Sequence, residues 1–425
     1  MVEYIYYDDD NQGPAKNGDS ISTIEMEWEW PQWQGLIRDS RSPETKLLKN
    51  WPQQGPKLIW KCDNLGQGWS SPIIADGYIY VTGTEKKKEF MVCLDLAGQF
   101  KWKVIYGLAA KSFSGARSTP TYDEGNAYVI SGIGEVVCID TRKSMITWKL
   151  KAYEIFHGEC GNFGIAESPL IVDDKLIYTP CGKQTTMVAL DKTTGGTVWK
   201  SQSINDISAY VSPTIIKRGS QNVILNVTGS YIVGVNPDKG EILWKYLYLK
   251  NDDKRKNLRG TLMANATTPL YHEGQIYVTS GYNHGGVALK LSEDGQSVQV
   301  VWENKILDCH HGGVVYHDGY IYGSSWNGNV DGNWVCLDWQ TGRVMYDHHW
   351  FGKGSIIYAD DMLYCYEEEK GHLALVKAIP EKFDIISSFQ VSTVKGENWS
   401  HPVICDGRLY MRYGDVLLAY DVKQK

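Results

Sequence analysis

The sequence predicts an all-β fold, an eight-bladed β-propeller of four-stranded blades, on three observations. A phrase of Ser/Thr-Pro, apolar residues, Asp-Gly and an alternating run ending in Tyr starts at Ser71, Thr119, Ser168, Ser212 and Thr268. It returns in weaker form at Gly313, Ser355 and His401. A second phrase, Asp or Asn, then a turn, then Trp, runs over Asp95–Trp102, Asp191–Trp199 and Asn236–Trp244, and loosely over Asp140–Trp148. Finally, the eighth copy of the first phrase runs out into "LLAYDVKQK" with no Trp strand, and "PKLIWKC" at Pro56–Cys62 offers one.

Each unit of roughly 40–55 residues holds four short alternating runs separated by Gly/Asp turns, the pattern of four antiparallel strands. Four strands per repeat make a propeller blade. The recurrent Trp residues are expected to wedge between neighbouring blades. An open ring would expose a long strand edge, so the Pro56–Cys62 segment is expected to pair with the last blade, with Trp60 in the docking part. Residues 1–25 are read as an acidic, mobile lead, 26–55 as a Trp- and Pro-rich strap packed on the ring, and 56–425 as one propeller domain.

Composition narrows the function. The net charge of −7 supplies no basic footprint for nucleic acid or an anionic membrane. No run is long and apolar enough to span a bilayer. The first twenty residues carry neither a basic n-region nor an apolar h-region, so no signal peptide is expected in them. Nine cysteines cannot all pair with one another. Cys93, Cys138 and Cys336 occupy one repeat position that Ala189 and Gly234 fill elsewhere, so they are expected to be packed thiols. Asn226-Val-Thr and Asn398-Trp-Ser match the glycosylation triplet, a pattern that chance produces often. Sixteen Trp and 27 Tyr against eight Phe favour half-buried positions and binding surfaces.

In a propeller the inner strands line a central channel, so the residues leading into each blade should converge at one mouth. Two or three positions upstream of each phrase stand Trp69, Arg117, Ala166 followed by Glu167, Tyr210, Asn265, His310 with His311, Lys353, and Trp399 with Asn398. That mixture of aromatic and polar groups suits a ligand site, and a channel plugged by aromatics is the alternative. Gly312 and Gly313 behind the histidines would let another group approach the backbone closely.

The stretches "WPQWQGLIRDSRSPE" (Trp30–Glu44), "GIAESPL" (Gly164–Leu170), "HHGGVV" (His310–Val315) and "WVCLDWQTG" (Trp334–Gly342), with the repeats, resemble bacterial PQQ-like β-propeller proteins. That family is related to quinoprotein alcohol dehydrogenases and to the outer-membrane assembly propeller. The resemblance implies PQQ across the axis with Ca²⁺ held by Glu167 and Asn265. It implies Tyr210 as the stacking platform, and Arg117, Trp69 and Trp399 as further cofactor contacts. Asp308 would be the base, and Lys353 would stabilise charge on the quinone. Such a protein would be a periplasmic dehydrogenase of an alcohol or sugar, with cytoplasm as the alternative location. The adjacent cysteine pair of the dehydrogenases is absent, as is any CxxCH haem motif. Two other functions use the same residues: a carbohydrate lyase working on an oligosaccharide through His310 or His311, Tyr210, Arg117 and Lys353, and a non-catalytic binding or assembly scaffold.

Overall fold

The structure is a computed structural model that describes residues 29–249, 264–391 and 397–424; the acidic lead at 1–25 lies outside them. Eight small antiparallel sheets form the ring, as the repeat count predicts. The first blade comprises Ile73–Ala75, Tyr78–Glu85, Lys88–Asp95 and Phe100–Leu108, innermost strand first, and the next six repeat the plan. The eighth takes Val403–Cys405, Arg408–Tyr413 and Val416–Asp421 from the C-terminal end and Lys57–Cys62 as its outer strand. The ring therefore closes through the two ends of the chain.

The docking tryptophans act between blades. Trp60, Trp148, Trp199 and Trp302 each donate their indole N–H to a carbonyl of the following blade, of Leu96, Lys192, Pro237 and Trp339, at 2.9–3.1 Å. Under each indole lies a turn glycine, Gly98, Gly195, Gly240 or Gly342, where a Cβ would strike the ring.

The Ser/Thr of the first phrase has a specific task. The backbone N–H of His401 donates to Ser71 Oγ (3.2 Å), Ser71 N–H to Thr119 Oγ1 (3.0 Å), Thr119 N–H to Ser168 Oγ (2.9 Å) and Ser168 N–H to Ser212 Oγ (2.9 Å). Four successive blades, the eighth and the first three, thus hand an inner N–H to the hydroxyl of the next. Short inner strands leave such groups without a ladder partner, and a buried N–H must find one.

The strap lies in the channel. Trp30 pairs with Ile74, the Pro31 carbonyl accepts from Tyr122, and Arg41–Ser42 run parallel to Tyr358–Ala359 of blade seven. Between these points Arg38, only 3% exposed, fills the axis. Its guanidinium donates to the carbonyls of Pro213 (2.7 Å), Ser168 (3.3 Å) and Pro169, and to Thr121 Oγ1 (3.3 Å), so one side chain ties three blades. Trp33 donates to Thr268 Oγ1 (3.0 Å) and packs on His401 of blade eight. The segment expected to pack on the ring is an axial plug.

The glycosylation triplets are internal. Asn226 and Asn398 are each about 1% exposed, and their amides donate to Thr179 Oγ1 (2.8 Å) and the Glu368 carbonyl (2.9 Å). Cys93, Cys138 and Cys336 are buried, as their repeat position predicts.

Replacing Arg38 with Met keeps bulk but takes the guanidinium from the buried carbonyls of Ser168 and Pro213, while Pro169 keeps the Thr121 hydroxyl. We expect a loss of about 3 kcal/mol in unfolding free energy, read from the urea midpoint. A loss below about 1 kcal/mol would show that the guanidinium does not hold the axis.

Candidate functional site

The residues that lead into each blade separate by register. Those two places before the phrase's first residue are Trp69, Arg117, Ala166, Tyr210, Ala266, His311, Lys353 and Trp399. Most meet one another at a single mouth. Trp69 and Trp399 pack with ring centroids 4.9 Å apart, Arg117 lies 5.7 Å from the Trp69 ring, and His311 reaches Trp399 at 5.6 Å although a blade separates them. His310 packs on His311 (4.7 Å) and meets Tyr282 edge-on (4.8 Å). Lys353 stands just behind, buried.

Neighbouring registers serve the scaffold. Glu167 stands one place before its phrase, as do Ser70 and Ser118. Ser70 Oγ accepts the N–H of Thr82 (3.4 Å) and Ser118 Oγ that of Ile130 (3.3 Å), in the second strand of their blades. Glu167 accepts the equivalent N–H, of Thr179, at 3.1 and 3.2 Å, and the Thr179 hydroxyl as well (3.2 Å). Burial pushes its carboxyl up to about 8, against the lowering effect of the Thr179 bonds and of Arg38.

Asn265 and Asp308 clasp the blade that the chain has just left. The Asn265 amide donates to the carbonyls of Thr228 (2.7 Å) and Gly229 (3.1 Å) in the turn between the second and third strands of blade four. Asp308 accepts the N–H of Asn283 (2.6 Å) and Gly285 (2.7 Å) in the same turn of blade five, and burial raises its carboxyl despite those bonds. Asn398 does likewise in blade seven, giving its amide to Glu368.

The cations at the mouth are also engaged. Arg117 donates to the carbonyls of Ser112 (2.6 Å), Phe113 (2.6 Å) and Phe163. Lys353, pushed down to about 8 by burial, donates to Glu368. The other Glu368 oxygen lies 3.1 Å from His311 Nε2. Burial, the neighbouring imidazole and Lys353 hold His310 well below the usual histidine range, so it is neutral at pH 7.

As a calcium set, Glu167, Asn265 and Asp308 do not fit. Both carboxylates already accept bonds that fix their own blades, and burial favours their protonated forms. The Arg38 guanidinium lies near enough to Glu167 to act on its charge, which opposes a divalent cation there. Only Asn265 Oδ1 is left buried without a partner. Among the described residues no group of three or more His, Cys, Asp or Glu is arranged to hold a metal. PQQ is a tricarboxylate, and both described cations at the mouth are taken.

Gly312 and Gly313 answer to protein rather than ligand. A Cβ on Gly312 would overlap the Gly354 carbonyl, and one on Gly313, where φ is +76°, would crowd Gln34 of the plug and His401. Sequence reasoning missed Glu368, Phe113, Phe163 and Tyr282. Phe113 touches both Phe163 (5.6 Å) and Trp399 (5.9 Å), and Phe163 continues to Tyr210 (5.7 Å). These four sit in connecting segments outside the repeated phrases, and only the aromatic richness of the sequence hinted at them.

Known proteins match this architecture. The family profile described as outer membrane protein assembly factor BamB matches residues 87–347. Outer membrane protein assembly factor BamB of Yersinia pestis is 23% identical over 274 residues, 61% of this chain. The match spans 63% of that relative, less than two thirds of its length. Among solved structures, BamB from Moraxella catarrhalis superimposes with a TM-score of 0.61 at 14% identity, over 87% of this chain and 98% of that one. A europium-containing methanol dehydrogenase gives 0.68 at 12% identity, covering 91% and 90%. The quinohemoprotein alcohol dehydrogenase from Comamonas testosteroni gives 0.64 at 12%, covering 93% and 81%. At such identities the structural likeness speaks for the fold alone. The profile covers more than half of the sequence, and the chain belongs to the family of outer membrane protein assembly factor BamB.

Proposed function

We propose that this chain is a non-catalytic binding propeller: its axial mouth holds a ligand or partner, and it acts as a scaffold rather than as a PQQ-dependent dehydrogenase. The observation that carries the reading is the engagement of the Glu167 and Asp308 carboxylates by their own blades while half-exposed aromatics remain at the mouth. A dehydrogenase needs those oxygens on a metal, which would act there as a Lewis acid. The lyase alternative needs a cation for the substrate carboxylate, and Arg117 and Lys353 are both taken. An assembly role, the one named for the family, asks only for a rigid ring and a recognition surface. Location in the periplasm goes with that role. No helix among the described residues is long and apolar enough to cross a membrane.

Titration of PQQ with CaCl₂ into the purified protein, followed by tryptophan fluorescence, tests the reading. No saturable, EDTA-sensitive quenching is expected, and its appearance would overturn the proposal.

Glu167→Ser gives a second test, because serine accepts the equivalent N–H in two other blades. The native carboxyl keeps its proton up to about pH 8, whereas the unfolded one releases it near the ordinary glutamate value. This group's contribution to stability is therefore lost as pH rises through 8. Glu167→Ser should fold, and its stability should fall less between pH 6 and 9 than that of the parent. An unchanged pH slope would place the carboxyl in a solvated or metal-bound setting instead.

A further inference from the structure

We infer that the mouth recognises a neutral, pyranose-containing glycan, seated on the Trp399–Trp69–Phe113 surface, with His311, positioned by Glu368, accepting a hydroxyl hydrogen. This deepens the binding-scaffold reading and rests on it. Three observations carry it.

First, the aromatic surface is continuous and open. Phe113 is 49% exposed, and Trp69, Trp399 and Phe163 are partly exposed. Indole and phenyl faces suit ligands with one apolar side, and the C–H face of a pyranose is such a side.

Second, the polar groups at its edge are neutral acceptors. Burial and Lys353 hold His311 well below the usual histidine range, and with its Nε2 turned to the Glu368 carboxylate at 3.1 Å the neutral ring has Nδ1 as its acceptor. Glu368 is fixed in turn by Lys353, whose carbonyl accepts the Glu368 N–H (3.1 Å) and whose amine meets its carboxylate. The His311 carbonyl accepts from His401 Nε2 (2.9 Å), so the backbone beneath the imidazole is held as well. A carboxylate that orients an imidazole through one nitrogen leaves the other pre-set for a hydroxyl.

Third, the cations among the described residues of the mouth are withdrawn. Arg117 gives three of its five N–H groups to carbonyls, which takes the end-on fork that would grip a carboxylate or phosphate, and Lys353 pairs with Glu368. Aromatic faces and a neutral acceptor beside cations already engaged by protein groups suit an uncharged polyol better than an acid.

Isothermal titration of the full chain with cellotetraose, maltotetraose and mannotetraose, beside tetragalacturonate and reduced, unfolded ribonuclease A, tests the inference. Saturable binding of at least one neutral tetrasaccharide is expected, unchanged from pH 5 to 8. It should weaken tenfold or more in Trp399→Ala and several-fold in His311→Gln. Phe113→Ala, at a largely exposed position, provides a variant whose folding is not at issue and should also weaken binding. Absence of binding to all three neutral sugars overturns the inference. So does binding confined to tetragalacturonate or to the unfolded protein. Those results leave the non-redox scaffold standing, because that reading fails only on calcium-dependent PQQ binding.

Discussion

The structure depends on satisfying the backbone at the axis. Eight short inner strands converge there, and each would leave N–H and C=O groups facing a narrow channel. Along half of the ring the N–H groups pass to Ser/Thr hydroxyls, from His401 to Ser71, Thr119, Ser168 and Ser212. The carbonyls of Ser168, Pro169 and Pro213 are taken by Arg38 from the plug. Proline after the hydroxyl residue fits this arrangement, because it removes one further donor from the most crowded level of the ring. Blade six has Gly313 in place of the hydroxyl, and there the plug's Gln34 and His401 come close instead.

This constraint decides which residues a ligand can meet. Once the phrase is anchored by hydroxyl and guanidinium, positions just upstream have set roles. One register feeds an oxygen into the blade, as Ser70, Ser118 and Glu167 do. Another clasps the preceding turn, as Asn265 and Asn398 do. The register between them gives Trp69, Arg117, Tyr210, His311, Lys353 and Trp399, with Ala166 and Ala266 in the other two blades. A carboxylate in the first register is structural even when it stands beside a residue at the mouth. Burial raises the carboxyls of Glu167 and Asp308, the direction expected for groups enclosed by backbone donors and apolar walls.

Much of the fold was legible because each repeat writes its own strands, turn and docking Trp, and because Trp60 completes the pattern the C-terminus leaves unfinished. The plug was legible only as irregular. Arg38 binds backbone carbonyls, and carbonyls have no letter in a sequence. At the site, Trp69, Trp399, His310 and His311 were legible as convergent. The assignment of Glu167 and Asn265 to a metal came from order along the chain, and order does not record side-chain parity. A shift of one residue along an extended segment turns a side chain to the opposite face. Glu368, Phe113, Phe163 and Tyr282 belong to connections whose path is set by tertiary packing, so no periodicity announces them.

The same ring serves redox enzymes and an assembly factor among this chain's structural neighbours, and the axis explains how both are possible. A propeller mouth is a set of lead-in segments on a rigid frame, and its chemistry depends on which oxygens and cations are released from holding that frame. Here Glu167, Asp308, Arg117 and Lys353 are all held. What reaches outward is aromatic surface and neutral imidazole. A buried Lys353–Glu368–His311 array is a costly way to fix one ring, since desolvating two charges offsets most of their attraction. Its compensation lies in orientation: His311 is held between the Glu368 carboxylate and the Trp399 ring, so the imidazole keeps one angle at the mouth.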